Sequence, residues 1–280
     1  VPGAIVIKRP RLITDLSPDD YHADGALSKH RLDLVRRSLT HYLNPPKFDS
    51  PALQFGRWAH SAVLEPDDFA KRSVEVDVKT KAAKAYKEAV ASAPAGAYVM
   101  TTRDAQALSN LADATWAHPI AFDLLSPGNP GAMVEASMFW DDPLTGIRCK
   151  CRPDYVCDEW IVDFKTCQSA ELSDFERDAA KYRYHVQAAW YRRGVAQTIG
   201  GEGAKDRRFI FVAVEKKPPY ACAVFEYDDD ALEIALAEAL IDMNKVAEYR
   251  SDPLNYWTGY PRRVQSLKLP RWAHEEVSKI

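Results

Sequence analysis

Two aspartates nine positions apart, Asp154 and Asp163, with a lysine two residues beyond the second, are the residues whose types and spacing read most directly as chemistry. The chain between them is apolar on either side of the polar pair Asp158-Glu159, which predicts two strands joined by a tight turn. From that turn the register follows by arithmetic. Cys157 lies opposite Trp160, Val156 opposite Ile161, Tyr155 opposite Val162, and Asp154 opposite Asp163. Side chains alternate faces along a strand, so Lys165 shares the face of Asp163. Two carboxylates directly across a hairpin repel each other, and a pair kept there calls for a cation between them. Carboxylates are hard oxygen ligands that suit Mg²⁺ or Mn²⁺, and the backbone carbonyl of Phe164 lies where it could complete the coordination. Such an ion polarises a phosphoryl oxygen and lowers the pKa of bound water. An adjacent lysine can hold the attacking water or neutralise the charge that builds on phosphorus.

The elements that must position this group are legible from pattern. Ser28 caps an expected helix running from Lys29 to about Tyr42, and a second helix is expected over 52–64, ending at Glu65-Pro66. Residues 71–98, rich in Lys and Ala, read as an exposed insertion, and a helix follows over 102–117 with helical pattern continuing to Leu125. Three successive strands are expected over 133–140, 146–157 and 160–166, then a helix from Ser173 to at least Arg193 with a break near Tyr182. Strands over 208–215 and 220–227 and a helix over 229–250 complete the core. Residues 1–24 read as irregular, and 251–280, with Trp257, Tyr260 and Trp272, as a tail wrapped over the surface. The sum is one α/β domain over 1–280, with a central mixed, mostly antiparallel sheet flanked by helices.

A formal charge of -3 in 280 residues excludes a protein that coats nucleic acid by bulk electrostatics. It leaves open an enzyme whose positive charge is local and partly supplied by metal. No apolar run approaches the roughly 20 residues that span a bilayer, so no membrane association is expected. The first ten residues lack a leader's apolar core and cleavage site. Five cysteines are an odd number for a disulfide framework. Cys149, Cys151, Cys157 and Cys167 crowd the aspartate hairpin without any paired C-x-x-C spacing, so they read as reduced, buried thiols of a cytoplasmic protein and no iron–sulfur cluster is expected.

Pro153-Asp154 followed by Asp163-Phe164-Lys165 resembles the PD-(D/E)xK pattern of restriction-endonuclease-like nucleases. Gly56-Arg57-Trp58-Ala59-His60 resembles the G-x-x-x-H helix of the RecB/RecE-like branch, and Gln187-Ala188-Ala189-Trp190-Tyr191 its Q-x-x-x-Y helix. Thr145-Gly146, Cys149-Lys150-Cys151-Arg152-Pro153-Asp154 and Val214-Glu215-Lys216 are similar to the RecE-type exonuclease VIII group carried by phages and prophages, over roughly residues 25 to 260. The resemblance implies His60, Asp154 and Asp163 as ligands of Mg²⁺ or Mn²⁺, Lys165 as the catalytic lysine, and Gln187 and Tyr191 one helical turn apart, facing the site or the DNA backbone. It implies a 5′-to-3′ double-strand DNA exonuclease that makes 3′ overhangs for recombination in a bacterial cytoplasm. DNA ends, a single-strand-annealing recombinase and a homo-oligomeric ring are the partners it implies. A Cas4-like or structure-specific endonuclease, or an inactive DNA-binding module, are the rival readings. Beside these, Glu65 is a helix-end group or a support for the ligands. Glu135 is a support, part of a second metal site, or a plain strand-edge acid. Ser28, Lys29 and Arg31, at a helix start, are either an anion site for a DNA 5′ phosphate or solvated charges. Tyr184, Trp190 and Trp58 are either base-stacking or core aromatics.

Overall fold

Residues 10–46, 50–200 and 207–269 are described by the structure, a computed structural model. The first part of the chain is mainly helical. It runs through β1 (Arg11–Ile13), α1 (Pro18–Ala23), α2 (Lys29–Arg37), α3 (Leu39–Leu43), α4 (Pro51–Leu64) and α5 (Pro66–Arg72). The single helix expected from Lys29 to Tyr42 is two, because Ser38 adopts extended backbone (φ −176°) and its hydroxyl accepts the His41 N–H to start α3. α4 begins where Ser50 caps the Leu53 N–H and Pro51 occupies the first turn, a position where its missing N–H costs nothing. Residues 11–23, expected to be irregular, carry β1, which pairs with a later strand (below), and α1.

The next stretch holds β2 (Ser73–Val76), α6 (Lys84–Ser92), β3 (Tyr98–Thr101), α7 (Thr102–Ala117) and α8 (Pro119–Leu125). Most side chains of 71–98 keep solvent access, as an exposed insertion would. The segment nonetheless folds: β2 pairs in parallel with β3, and buried Tyr86 of α6 donates its hydroxyl to the Val99 carbonyl at 2.9 Å.

The second half supplies β4 (Met133–Val134), β5 (Ser137–Asp141), β6 (Arg148–Cys151), β7 (Tyr155–Val156), β8 (Trp160–Cys167), α9 (Leu172–Lys181), α10 (Tyr184–Thr198), β9 (Arg208–Glu215), β10 (Cys222–Glu226) and α11 (Asp229–Ser251). The expected three-strand meander is corrected here. Two of its strands are each split, and the pieces belong to different sheets. One sheet has the order β1-β5-β6 and the other β10-β9-β8-β7-β4. The β7–β8 hairpin keeps the expected register, with Tyr155 opposite Val162 and Val156 opposite Ile161. β8 and β9 run parallel over their full lengths, joined by the crossover helices α9 and α10, while the other neighbours in that sheet are antiparallel.

Alternation along β9 shows how the core is layered. Phe209, Phe211 and Ala213 pack with Trp140, Trp190, Val35 and Val246 on one side. Ile210, Val212 and Val214 pack with Trp58, Leu108, Leu111 and Phe164 on the other. The five-stranded sheet is therefore a middle layer with helices on both faces. α10 comes so close to β5 and β6 that a Cβ at Gly194 would lie 2.7 Å from Trp140 Cζ3 and against Cys151 Sγ. Gly194→Ala is expected to cost about 1–3 kcal/mol through overpacking. Urea unfolding measures it, and an unchanged midpoint would show that the contact can relax.

The turn after β5 is fastened to the same helix. Buried Asp142 accepts the Leu144 and Thr145 N–H groups at 3.1 and 2.9 Å and the Thr145 hydroxyl at 2.9 Å, and pairs with Arg193. Burial alone would raise the Asp142 pKa, but these hydrogen bonds and Arg193 hold it below the ordinary carboxylate range. A depressed folded-state pKa means stability present above the unfolded value and lost as pH falls through the folded one. Asp142→Asn is thus expected to cost about 2 kcal/mol at neutral pH. The gap to the wild type should close as pH drops below about 4. Unfolding curves at the two pH values check it, and a gap that stays constant removes the assignment.

Residues 252–269 are mostly exposed and lie against α2 and α3, where the Thr258 carbonyl accepts the Thr40 N–H at 2.8 Å. Trp272, the rest of the expected tail and residues 1–9 lie outside the described residues. Among the described residues, no helix is long and apolar enough to cross a membrane.

Candidate active site

The site sits where the two sheets meet. Sequence alternation would carry one strand straight through 133–140. Instead Glu135 takes a left-handed backbone (φ +50°), which a residue with a Cβ adopts only under constraint. The chain leaves the five-stranded sheet at Val134 and joins the three-stranded one at Ser137. Arg152-Pro153-Asp154 makes the same passage between β6 and β7, and Pro153 has no N–H to continue a ladder. The Glu135 N–H donates to the Asp154 carbonyl at 3.0 Å, holding the two breaks side by side.

α4 brings His60 to this corner. Its ring meets Phe164 edge-on at 5.3 Å, and its Nδ1 lies 3.4 Å from Asp154 Oδ2. The same oxygen accepts the Phe164 N–H at 2.7 Å. His60, Glu135 and Asp154 each offer a ligand atom, all within 4.8 Å of one another. Arg152 steadies Glu135 through Nε to Oε2 at 2.8 Å. One imidazole and two carboxylates form a donor set that fits a Mg²⁺ or Mn²⁺ ion.

The electrostatics describe crowded acids. Burial, then the charge of Asp154, raises the Glu135 pKa to about 7. Burial would raise Asp154 too, but His60, Lys165 and the Phe164 N–H bring it below the usual carboxylate range. At His60 burial favours the neutral ring, and the Asp154 carboxylate outweighs it, lifting the pKa above the ordinary value.

Beside this cluster stands a second group. Gln187 of α10 donates Nε2 to Asp163 Oδ1 and accepts Lys165 Nζ on Oε1 at 3.1 Å. Asp163 Oδ2 is held by the Lys165 ammonium in a close ion pair. Burial raises the Asp163 pKa to about 6; Lys165 pulls it down while Asp154 pushes it further up. Burial would lower Lys165, but Asp163 and Asp154 outweigh it and keep the amine protonated beyond its usual range. Tyr191, a turn after Gln187, is half-buried, and its phenol is raised by burial first and then by the fields of Tyr21, Asp163 and Asp154.

The structure therefore brings His60, Asp154, Asp163, Lys165, Gln187 and Tyr191 to one corner, with a redistribution of parts. Glu135, read from sequence as a support, part of a second metal site or a plain strand-edge acid, stands with His60 and Asp154 as a candidate ligand, whereas Asp163 lies next to that cluster and is engaged by Gln187 and Lys165. The sequence left three readings of Glu135 open, because its place beside His60 and Asp154 follows from a backbone conformation unusual for glutamate. Phe164 is engaged through its N–H. Glu65 is exposed at the α4–α5 junction, outside the cluster, and acts on Glu135 through its field. The Ser28 hydroxyl caps α2 by accepting the Arg31 N–H, Lys29 pairs with Asp33 at 2.8 Å, and the Arg31 guanidinium lies 4.2 Å from the Tyr42 ring centre. That helix start is occupied by partners within the chain. Trp58 and Trp190 are buried core residues, and Tyr184 is half-buried. Cys149, Cys151, Cys157 and Cys167 are buried free thiols.

A helix-flanked mixed sheet with Asp163 and Lys165 on β8 and Asp154 just before the neighbouring β7 is a PD-(D/E)xK-like arrangement. The chain belongs to the family described as PDDEXK-like domain of unknown function (DUF3799), which matches residues 37–254. Among solved structures it is similar to a provisionally assigned exonuclease from Eubacterium rectale, with a TM-score of 0.60 at 14% identity over 95% of this chain and 99% of that one. That likeness shows a shared fold. The SSO0001 structure overlaps 50% of this chain and 68% of its own at 15% identity and a TM-score of 0.27, too loosely to carry an argument. No curated protein matches. Family membership supports a nuclease.

Proposed function

We propose that the chain is a Mg²⁺- or Mn²⁺-dependent deoxyribonuclease that degrades double-stranded DNA from its 5′ ends and leaves 3′ overhangs. The observation that carries this reading is the cluster of His60, Glu135 and Asp154 next to a buried Asp163–Lys165–Gln187 group. His60, Glu135 and Asp154 would hold the ion, with Asp163 beside them. When bound, a divalent cation supplies Lewis acidity toward a phosphoryl oxygen and acidifies water. The Lys165 ammonium is directed by the Asp163 carboxylate and the Gln187 amide, and offers its remaining N–H to a phosphate oxygen or to the attacking water. Gln187 fixes that amine from the helix side and so ties the site to α10. The 5′-to-3′ polarity, the overhang, a ring-shaped homo-oligomer and an annealing recombinase partner rest on the resemblance of the three ordered motifs to RecE-type nucleases.

Linear duplex labelled at either end, alongside closed circular DNA, tests the reading. Mg²⁺-dependent release of the 5′ label from linear DNA, with EDTA stopping it and the circle left intact, is the expected result. Degradation unaffected by EDTA, or no degradation with Mg²⁺ and Mn²⁺, overturns it. Cutting of the circle turns it to an endonuclease.

A further inference from the structure

The turn between α9 and α10 is strained and heavily fastened. Arg183 takes a left-handed backbone (φ +53°), which a residue with a Cβ holds only when its surroundings fix it. Three carboxylates do so: Asp33 at 3.2 Å, Glu238 at 3.1 Å and fully buried Asp242 at 2.9 Å. The Lys29 ammonium adds a hydrogen bond to the Tyr182 carbonyl at 2.6 Å.

The consequence is an aromatic ladder. With Arg183 left-handed between them, Tyr182 and Tyr184 turn their rings to the same side, stacked at 5.9 Å with 26° between planes. Tyr184 stacks in turn on Phe211 of the core at 5.6 Å and 25°. The inner ring, Phe211, is buried, while the outer ring, Tyr182, is 48% exposed. The ladder stands at the site: the Lys165 ammonium lies 4.7 Å from the centre of the Tyr184 ring. Exposed Lys181 places its own ammonium 5.2 Å from the Tyr182 ring.

We propose that Tyr182 is a nucleobase-stacking residue, which receives an unpaired base of the nucleotide next to the phosphate at Lys165. Every nucleobase has a π-face, so such a platform is tolerant of sequence. Lys181 meets the phosphate of that same nucleotide. The substrate at this point is therefore a frayed strand end and not an intact base pair. This rests on the nuclease reading and extends it to the state of the DNA.

The test places 2-aminopurine, whose fluorescence falls on stacking, at the 5′ or 3′ terminus of a linear duplex. Full-length protein is titrated in Ca²⁺, which the same hard-oxygen ligands take, with a gel to verify that the DNA stays whole. Wild type is expected to quench the 5′-terminal probe. Tyr182→Ala loses the quench and binds about tenfold more weakly, in line with the worth of one base–aromatic stack, whereas Tyr182→Phe retains both. Equal quenching by Tyr182→Ala overturns the stacking role, and if Mg²⁺-dependent cleavage persists the nuclease reading stands. Quenching confined to the 3′ probe supports the stack and overturns the polarity. Wild type that binds no DNA overturns both.

Discussion

Asp154→Asn is expected to remove measurable Mn²⁺ binding and DNA cleavage together. Asp154 touches every part of the cluster: its Oδ2 faces His60 Nδ1 and takes the Phe164 N–H, and its charge is the main neighbour acting on Glu135. Loss of groups that merely orient ligands costs 10- to 100-fold in metal affinity, so loss of this carboxylate should cost at least about 100-fold. Titration calorimetry with Mn²⁺ reads it directly. Thermal melting gives a second view. The raised pKa values of Glu135 and Asp163 come first from burial, with the charge of Asp154 pushing both further up. A cation at about 100 times its Kd should add about 2.7 kcal/mol to wild-type stability and nothing to Asp154→Asn. Undiminished Mn²⁺ affinity in the variant would remove Asp154 from the ligand set.

Lys165→Ala is expected to separate chemistry from binding. The ammonium lies in ion-pair contact with Asp163 and is hydrogen-bonded to Gln187, but it donates and cannot ligate a cation. Turnover should fall by about 10²- to 10³-fold, the usual loss for one preorganised transition-state contact. Mn²⁺ affinity should stay the same or tighten, since a positive charge has left the neighbourhood. Single-turnover cleavage combined with calorimetry distinguishes this from collapse of the site. Parallel loss of metal binding would make Lys165 a structural brace.

Much of this was readable before any coordinates. The β7–β8 register followed from one turn and the period of two, and it placed Asp154 and Asp163 together because alternation leaves no other choice once Asp158-Glu159 is the bend. The helix expected over 102–117 is α7, for which the structure supplies Thr101 as the cap. What failed was continuity. A run such as Met133 to Trp140 has the alternation of one strand, and no local propensity announces that Glu135 will turn left-handed and send the chain to a second sheet. The strand expected over 146–157 ran through Pro153, where the ladder instead breaks and both halves remain strands. Ser38 broke a helix whose apolar stripe ran on undisturbed. At Ser38 a local cap and at Pro153 a missing N–H made the break, whereas at Glu135 an unusual backbone conformation changed which residue stands with His60 and Asp154.

The crossover between β8 and β9 sets the order of assembly. Lys165 is directed by Gln187, a residue on the second crossover helix, and the parallel pairing of β8 can close only after both helices have been made and docked. A product truncated short of α10 therefore contains the acids and Lys165 but lacks Gln187, which fixes that amine from the helix side. On the proposed reading, the complete site exists only in chains that extend through α10.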